Sequence, residues 1–92
     1  MGHGKRPRPA KLGMKLRYIR EQILNITQVE MAKKLTEYGA GQRLHSGYIA
    51  DYENTKDREP SLLTLLAYSK LTGISVNTLI DDELDLPDHQ SK

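Results

Sequence analysis

Residues 27–35 read Thr27-Gln28-Val29-Glu30-Met31-Ala32-Lys33-Lys34-Leu35, and the fold turns on this run. Thr27 followed three positions later by Glu30 is a capping box: each side chain accepts from the other residue's unpaired backbone N–H, which starts a helix. Behind the box, Met31, Ala32 and Leu35 fall on one helical face, so the spacing predicts a helix that buries that face. Tyr38-Gly39 closes it, because Gly adopts the left-handed backbone that follows a helix end at little cost.

Working outward, Leu12, Leu16, Ile19 and Ile23 recur at steps of four, three and four. That is one face of a first helix, beginning near Lys11 and ended by Asn25. On the other side, residues 40–45 read as a connection pinned by Leu44. A short third helix is expected over 46–54, with Ser46 as its N-cap and Ile49, Tyr52 and Glu53 facing inward. After a polar link, Ser61 behind Pro60 caps a fourth helix with Leu62, Leu65, Leu66 and Leu71 inward and Gly73 past its end. Ser75 caps a short fifth helix carrying Val76, Leu79 and Ile80. Leu84 and Leu86 are the tail residues able to dock.

Composition agrees with helices. The 92 residues have room for one domain, and thirteen Leu and six Ile against two Val favour helix over strand. There is no Phe, Trp or Cys, so disulfide scaffolds and Cys-based zinc sites are excluded. No apolar run is long enough to span a bilayer and no leader pattern is visible, so a cytoplasmic, nucleoid-associated location is expected. The expected fold class is all-α, with a flexible basic arm over 1–10, a helical domain over 11–81 and an acidic tail over 82–92.

The net charge of +2 conceals an asymmetry. Residues 1–20 hold seven basic side chains (Lys5, Arg6, Arg8, Lys11, Lys15, Arg17, Arg20) and no acid, whereas residues 81–92 hold five acids against Lys92. A polyanion partner at the basic end and a merely solvated terminus are both compatible with that pattern. Catalysis finds no foothold. His3, His45 and His89 lie far apart in the chain, and Gly39-Ala40-Gly41 lacks the strand and third Gly of a dinucleotide turn. Neither enzymatic activity nor a metal or other cofactor is expected.

The capped run, taken with Ile49-Ala50-Asp51-Tyr52-Glu53-Asn54, Pro60-Ser61-Leu62-Leu63-Thr64-Leu65-Leu66 and Gly73-Ile74-Ser75-Val76, resembles the lambda-repressor/Cro-like (XRE) helix-turn-helix family. The likeness covers residues 12–81. It implies a five-helix domain in which helix two crosses the DNA backbone and helix three enters the major groove. Gln28 matches the family's phosphate-contacting Gln, while Ser46, Gly47 and Asp51 match its base-reading positions. Asp51 either accepts from cytosine N4 or pairs with a Lys or Arg; Tyr48 either touches sugar or a thymine methyl or covers the core. Asn54, at the end of the same helix, is expected among the DNA-binding residues. The resemblance also pairs Arg20 with Glu53.

Three departures stand out. The connection between helices two and three is about seven residues longer than the family's turn, and one extra residue separates Arg20 from Gln28 and another Glu53 from Pro60. The long connection either reaches the DNA backbone through Gln42, Arg43 and His45 or is a plain surface loop. Arg6, Arg8, Lys56 and Arg58 complete the expected phosphate contacts, the arm resembling in part the Arg-Gly-Arg-Pro core of minor-groove hooks. These readings add up to a sequence-specific transcriptional regulator, repressor-like, bound to double-stranded DNA as a homodimer paired through Val76, Leu79, Ile80, Leu84 and Leu86. The alternative is a protein-interaction module of the antitoxin kind.

Overall fold

The computed structural model describes residues 9–54 and 58–86. Within them lie five helices and no strand: α1 (Leu12–Tyr18), α2 (Gln28–Glu37), α3 (Ser46–Glu53), α4 (Leu62–Thr72) and α5 (Val76–Ile80). The all-helical class follows. Arg6, Arg8, Lys56 and the ends of the arm and tail lie outside the described residues. Among the described residues, no helix is long and apolar enough to cross a membrane.

α1 runs directly into a wider helical segment, Ile19–Leu24, whose hydrogen-bonded ring takes one residue more than an α-turn. Asn25 and Ile26 both donate backbone N–H groups to the Arg20 carbonyl, and Asn25 sits at φ 54 in the left-handed region. Beyond the wide segment, Thr27 takes the N-cap position of α2. There Thr27 Oγ1 accepts from Glu30 N at 3.1 Å and Glu30 Oε1 accepts from Thr27 N at 2.9 Å. Those two bonds hold the Glu30 carboxyl below its ordinary pKa.

The core joins Leu12, Leu16 and Ile19 of α1 and its extension to Met31 and Leu35 of α2, Ile49 and Tyr52 of α3, Tyr68 of α4 and Leu79 of α5. α3 packs on both α1 and α2, α4 on α2, and α5 on α1 and α4. The long connection is built in as well. Thr36 Oγ1 donates to the Ala32 carbonyl at 2.8 Å and accepts from Leu44 N at 3.0 Å, and Ala40 and Leu44 are buried. Gly41 sits at φ 89, in the left-handed region that favours glycine.

Three expectations about helix faces and caps are corrected. The cap of α3 lies one residue earlier than expected: His45 holds the extended N-cap conformation, makes no side-chain cap, and its carbonyl accepts from Tyr48 N, so Ser46 is already helical. On α4, Leu62 is 73% and Leu66 38% exposed, while Thr64, Leu65, Ala67 and Tyr68 are buried. The seven apolar residues of that helix are spread around it, so hydrophobicity does not select a face; at its start the Ser61 and Thr64 hydroxyls meet at 3.0 Å. On α5, Leu79 is buried, Val76 packs partly, and Ile80 is turned outward.

The chain stays docked beyond α5. Asp82 accepts from the backbone N–H groups of Ala10 (2.8 Å) and Lys11 (3.0 Å), capping the start of α1 from the far end of the sequence. In return, buried Lys15 donates its three ammonium hydrogens to the carbonyls of Thr78 (2.6 Å), Asp81 (2.9 Å) and Leu84 (2.6 Å). Leu86 packs partly on the core, whereas Leu84 exposes its side chain.

Candidate nucleic-acid interface

The surface offered by α3 depends first on how its inner side is fixed. Ile49, Tyr52 and Glu53 face inward, and Glu53 is the buried charge among them. Its carboxylate accepts from Arg20 Nε at 2.7 Å and Arg20 Nη2 at 3.0 Å, a two-pronged pair that matches the planar guanidinium. Gln28 Nε2 adds a third donor at 3.3 Å. Arg20 Nη1 donates to the Ile26 carbonyl at 3.0 Å, and Nη2 also approaches Glu21 at 3.3 Å. α1, the start of α2 and the end of α3 are thereby tied at one buried point. Hydrogen bonding by Glu53 raises the Arg20 pKa further, against the opposing effect of burial.

Two phenols complete the inner wall. Burial pushes Tyr52 upward in pKa, and Tyr68 much further. The Tyr68 hydroxyl is buried with no hydrogen-bond partner among the described residues.

The outer side of α3 presents Ser46, Gly47, Tyr48 and Asp51, with Asn54 at its end. Gly47 is exposed, and a Cβ there would come within 3.2 Å of the His45 ring. The His45 and Tyr48 rings lie 4.5 Å apart at 46°. Arg58 stacks over Tyr48, its guanidinium carbon 4.3 Å from the ring centroid, and donates through Nε to Asp51 Oδ2 at 3.1 Å. Of the two readings open for Asp51, the structure shows the Arg pair. Of those open for Tyr48, it shows a half-buried ring that both touches the core and carries a cation.

Arg43, His45 and Ser46 meet the outer face of α2 across an open groove of about 770 Å³. Val29, 65% exposed, and Lys33 line its opposite wall. Neither stood out in the sequence, although the two are four residues apart and alternate with the buried Met31 and Leu35, which puts them together on the opposite side of α2. The two helix starts differ in electrostatics. α2 opens on the Glu30 carboxylate of its capping box, while α3 has neither a side-chain cap nor an acid in its first turn. The start of α3, with His45 and Ser46 on the groove, thus carries the positive end of a helix dipole that no acid of its own first turn offsets. No cluster of three or more His, Asp or Glu residues able to hold a metal occurs among the described residues. Comparison with family models, with curated proteins and with solved structures gave no match to this chain.

Proposed function

We propose that this protein is a sequence-specific DNA-binding regulator of the lambda-repressor/Cro-like helix-turn-helix type, with α3 in the major groove. The observation that carries the reading is the contrast between the two sides of α3. Its inner side is locked to α1 and α2 through Glu53, Arg20 and Gln28. Its outer side is small at Ser46 and Gly47, carries Tyr48 and Asp51 beyond them, has no side-chain cap at its N-terminus, and is flanked by Arg43, His45 and Arg58. A rigid helix with small residues at an N-terminus that lacks a side-chain cap can bring a base edge and a phosphate close together.

In this reading the phosphate anchor moves from the α2 start toward the α3 start, because Glu30 occupies the first turn of α2. Gln28 then serves chiefly to fix the two helices, through its bond to Glu53. Binding as a homodimer belongs to the same proposal, since one domain spans few base pairs and a two-fold pair doubles the site. Leu79 is committed to the core, so Ile80 and Leu84, 39% and 42% exposed, are the apolar residues left for an isologous contact.

Selection of bound duplexes from a random pool tests the proposal. One enriched sequence family, two-fold symmetric and lost at high salt, is the expected result. Recovery of no sequence above background removes the reading. A second reading, a protein-interaction module, draws on the exposed Leu62 and Leu66 one turn apart on α4. It predicts co-purification with a second chain and weak DNA binding by the isolated protein.

A further inference from the structure

We propose that Arg58 reads a guanine, and that Asp51 is the positioning residue that aims it. This inference rests on the DNA-binding reading and assigns a different division of labour on the reading face. Arg58 is held in two directions at once. Its Nε donates to Asp51 Oδ2 at 3.1 Å, and its guanidinium lies over the Tyr48 ring at 4.3 Å. Tyr48 and Asp51 are three residues apart on α3, so ring and carboxylate form one continuous platform on the outer side of that helix. The His45 ring, 4.5 Å from Tyr48, extends the platform toward the start of the helix. The Arg58 side chain is 50% exposed and Asp51 40% exposed, so the assembly sits at the surface rather than in the core.

The chemistry favours guanine as the target. Guanine presents two acceptors, N7 and O6, on its major-groove edge, and a guanidinium matches them with two parallel N–H groups. The contact through Nε engages one edge of the guanidinium, and the stacked ring fixes the plane in which the Nη groups lie. A long side chain loses much rotational freedom when it binds; one already oriented loses less on meeting the base. Asp51 alone would bring a negative charge against phosphates. Paired with Arg58 its charge is balanced, and its effect on bases is transmitted through the arginine. Neither basic charge nor the position of Arg58 beyond the end of α3 distinguishes this role from a phosphate contact; the fixed plane does.

Duplex selection on the full-length wild type, Arg58→Lys and Asp51→Asn, with a salt titration of each on its best site, tests the assignment. Wild type should enrich a G·C pair within the α3 footprint. Arg58→Lys keeps the charge and loses the paired donors, so guanine preference at that position should fall by roughly 5- to 150-fold with the salt slope unchanged. Asp51→Asn should broaden the preference at the same position, while Tyr48 variants remain as a control of the stack. Thermal melting of each variant near wild type separates these effects from unfolding. If Arg58→Lys enriches the same site as wild type, the assignment is overturned and the DNA-binding reading stands. It is equally overturned if Arg58→Ala weakens all sequences alike and lowers the salt slope by about 0.9. If wild type enriches no sequence, both readings fall together.

Discussion

Lys15 and Arg20 lie five residues apart on one continuous helical stretch, both buried, and their charges are met in opposite ways. Arg20 finds a formal counter-charge: Glu53 accepts two of its N–H groups, and the pair is nearly sealed from water. Lys15 finds three carbonyl oxygens, from Thr78, Asp81 and Leu84, around the end of α5 and the turn beyond it. Each side chain suits its site. A planar fork matches a carboxylate, while a compact ammonium with three donors matches carbonyls converging from three directions. The negative end of α5 adds to the Lys15 site, although five residues make a weak dipole. The comparison separates two tasks: Arg20 sets the attitude of the proposed reading helix, and Lys15 closes the ends of the domain.

The sharpest way to break the comparison is to remove the formal counter-charge. Glu53→Gln removes the buried counter-charge of Arg20 and leaves it only the more exposed Glu21 carboxylate at 3.3 Å, which should cost about 3–5 kcal/mol. The melting temperature should then fall by on the order of 10 °C or more. A melting curve unchanged from wild type would mean the pair does not hold α3. Replacing both partners together, Arg20→Met with Glu53→Leu, should recover most of that loss, because the penalty lies in the orphaned charge rather than in the missing bond.

A smaller effect is expected at the other cation. Lys15→Met removes a charge and leaves three carbonyls without their donor, and the methionine refills much of the space. The loss should be about 1–3 kcal/mol, below that of Glu53→Gln. Amide exchange gives the better discrimination: protection should drop in α5 and residues 81–84 while α2 and α3 keep theirs. Uniform loss across all five helices would show that the two sites act as one unit.

The smallest effect, and the one that depends on pH, belongs to the capping carboxylates. Bonds from the backbone N–H groups of Lys11 and Ala10 hold Asp82 below its ordinary pKa, and the Thr27 backbone does the same for Glu30. A folded pKa below the unfolded one means each contributes stability above its unfolded value, near 4, and loses it as pH falls through the lower folded value. Asp82→Ala should therefore lower the melting temperature slightly at neutral pH and converge with wild type in strong acid. A constant difference between the two proteins from pH 7 to pH 2 would show that the caps are occupied by neutral side chains.

Local chemistry was legible wherever the partners lie within one helical turn. The Thr27–Glu30 box, the Ser61 and Ser75 caps, the left-handed Gly73 and the inward Ile49, Tyr52 and Glu53 all depend on neighbours three or four residues away. The same reasoning failed by one residue at Ser46, since His45 and Ser46 are both compatible with a helix start and only packing chooses. It failed on α4 because apolar residues spread around a helix, as they are there, give it no preferred face until another helix covers one. Val29 and Lys33 gained meaning only once the 36–45 connection had folded against α2 and set a groove beside them.

Charge shows the division most plainly. The sequence by itself determined that the chain is basic at one end and acidic at the other, that its core is aliphatic and helical, and where four of its helices begin. It grouped Lys15 with a basic run and Asp82 with an acidic one, and by composition neither differs from its neighbours. Only the tertiary structure turned them into a clasp, with Lys15 on the carbonyls of Thr78, Asp81 and Leu84 and Asp82 on the amides of Ala10 and Lys11. The physical reason is separation along the chain. A cap acts within a few residues and is written in local spacing, whereas these partners stand 63 to 72 residues apart and meet only because α1 and α5 bury their apolar faces together.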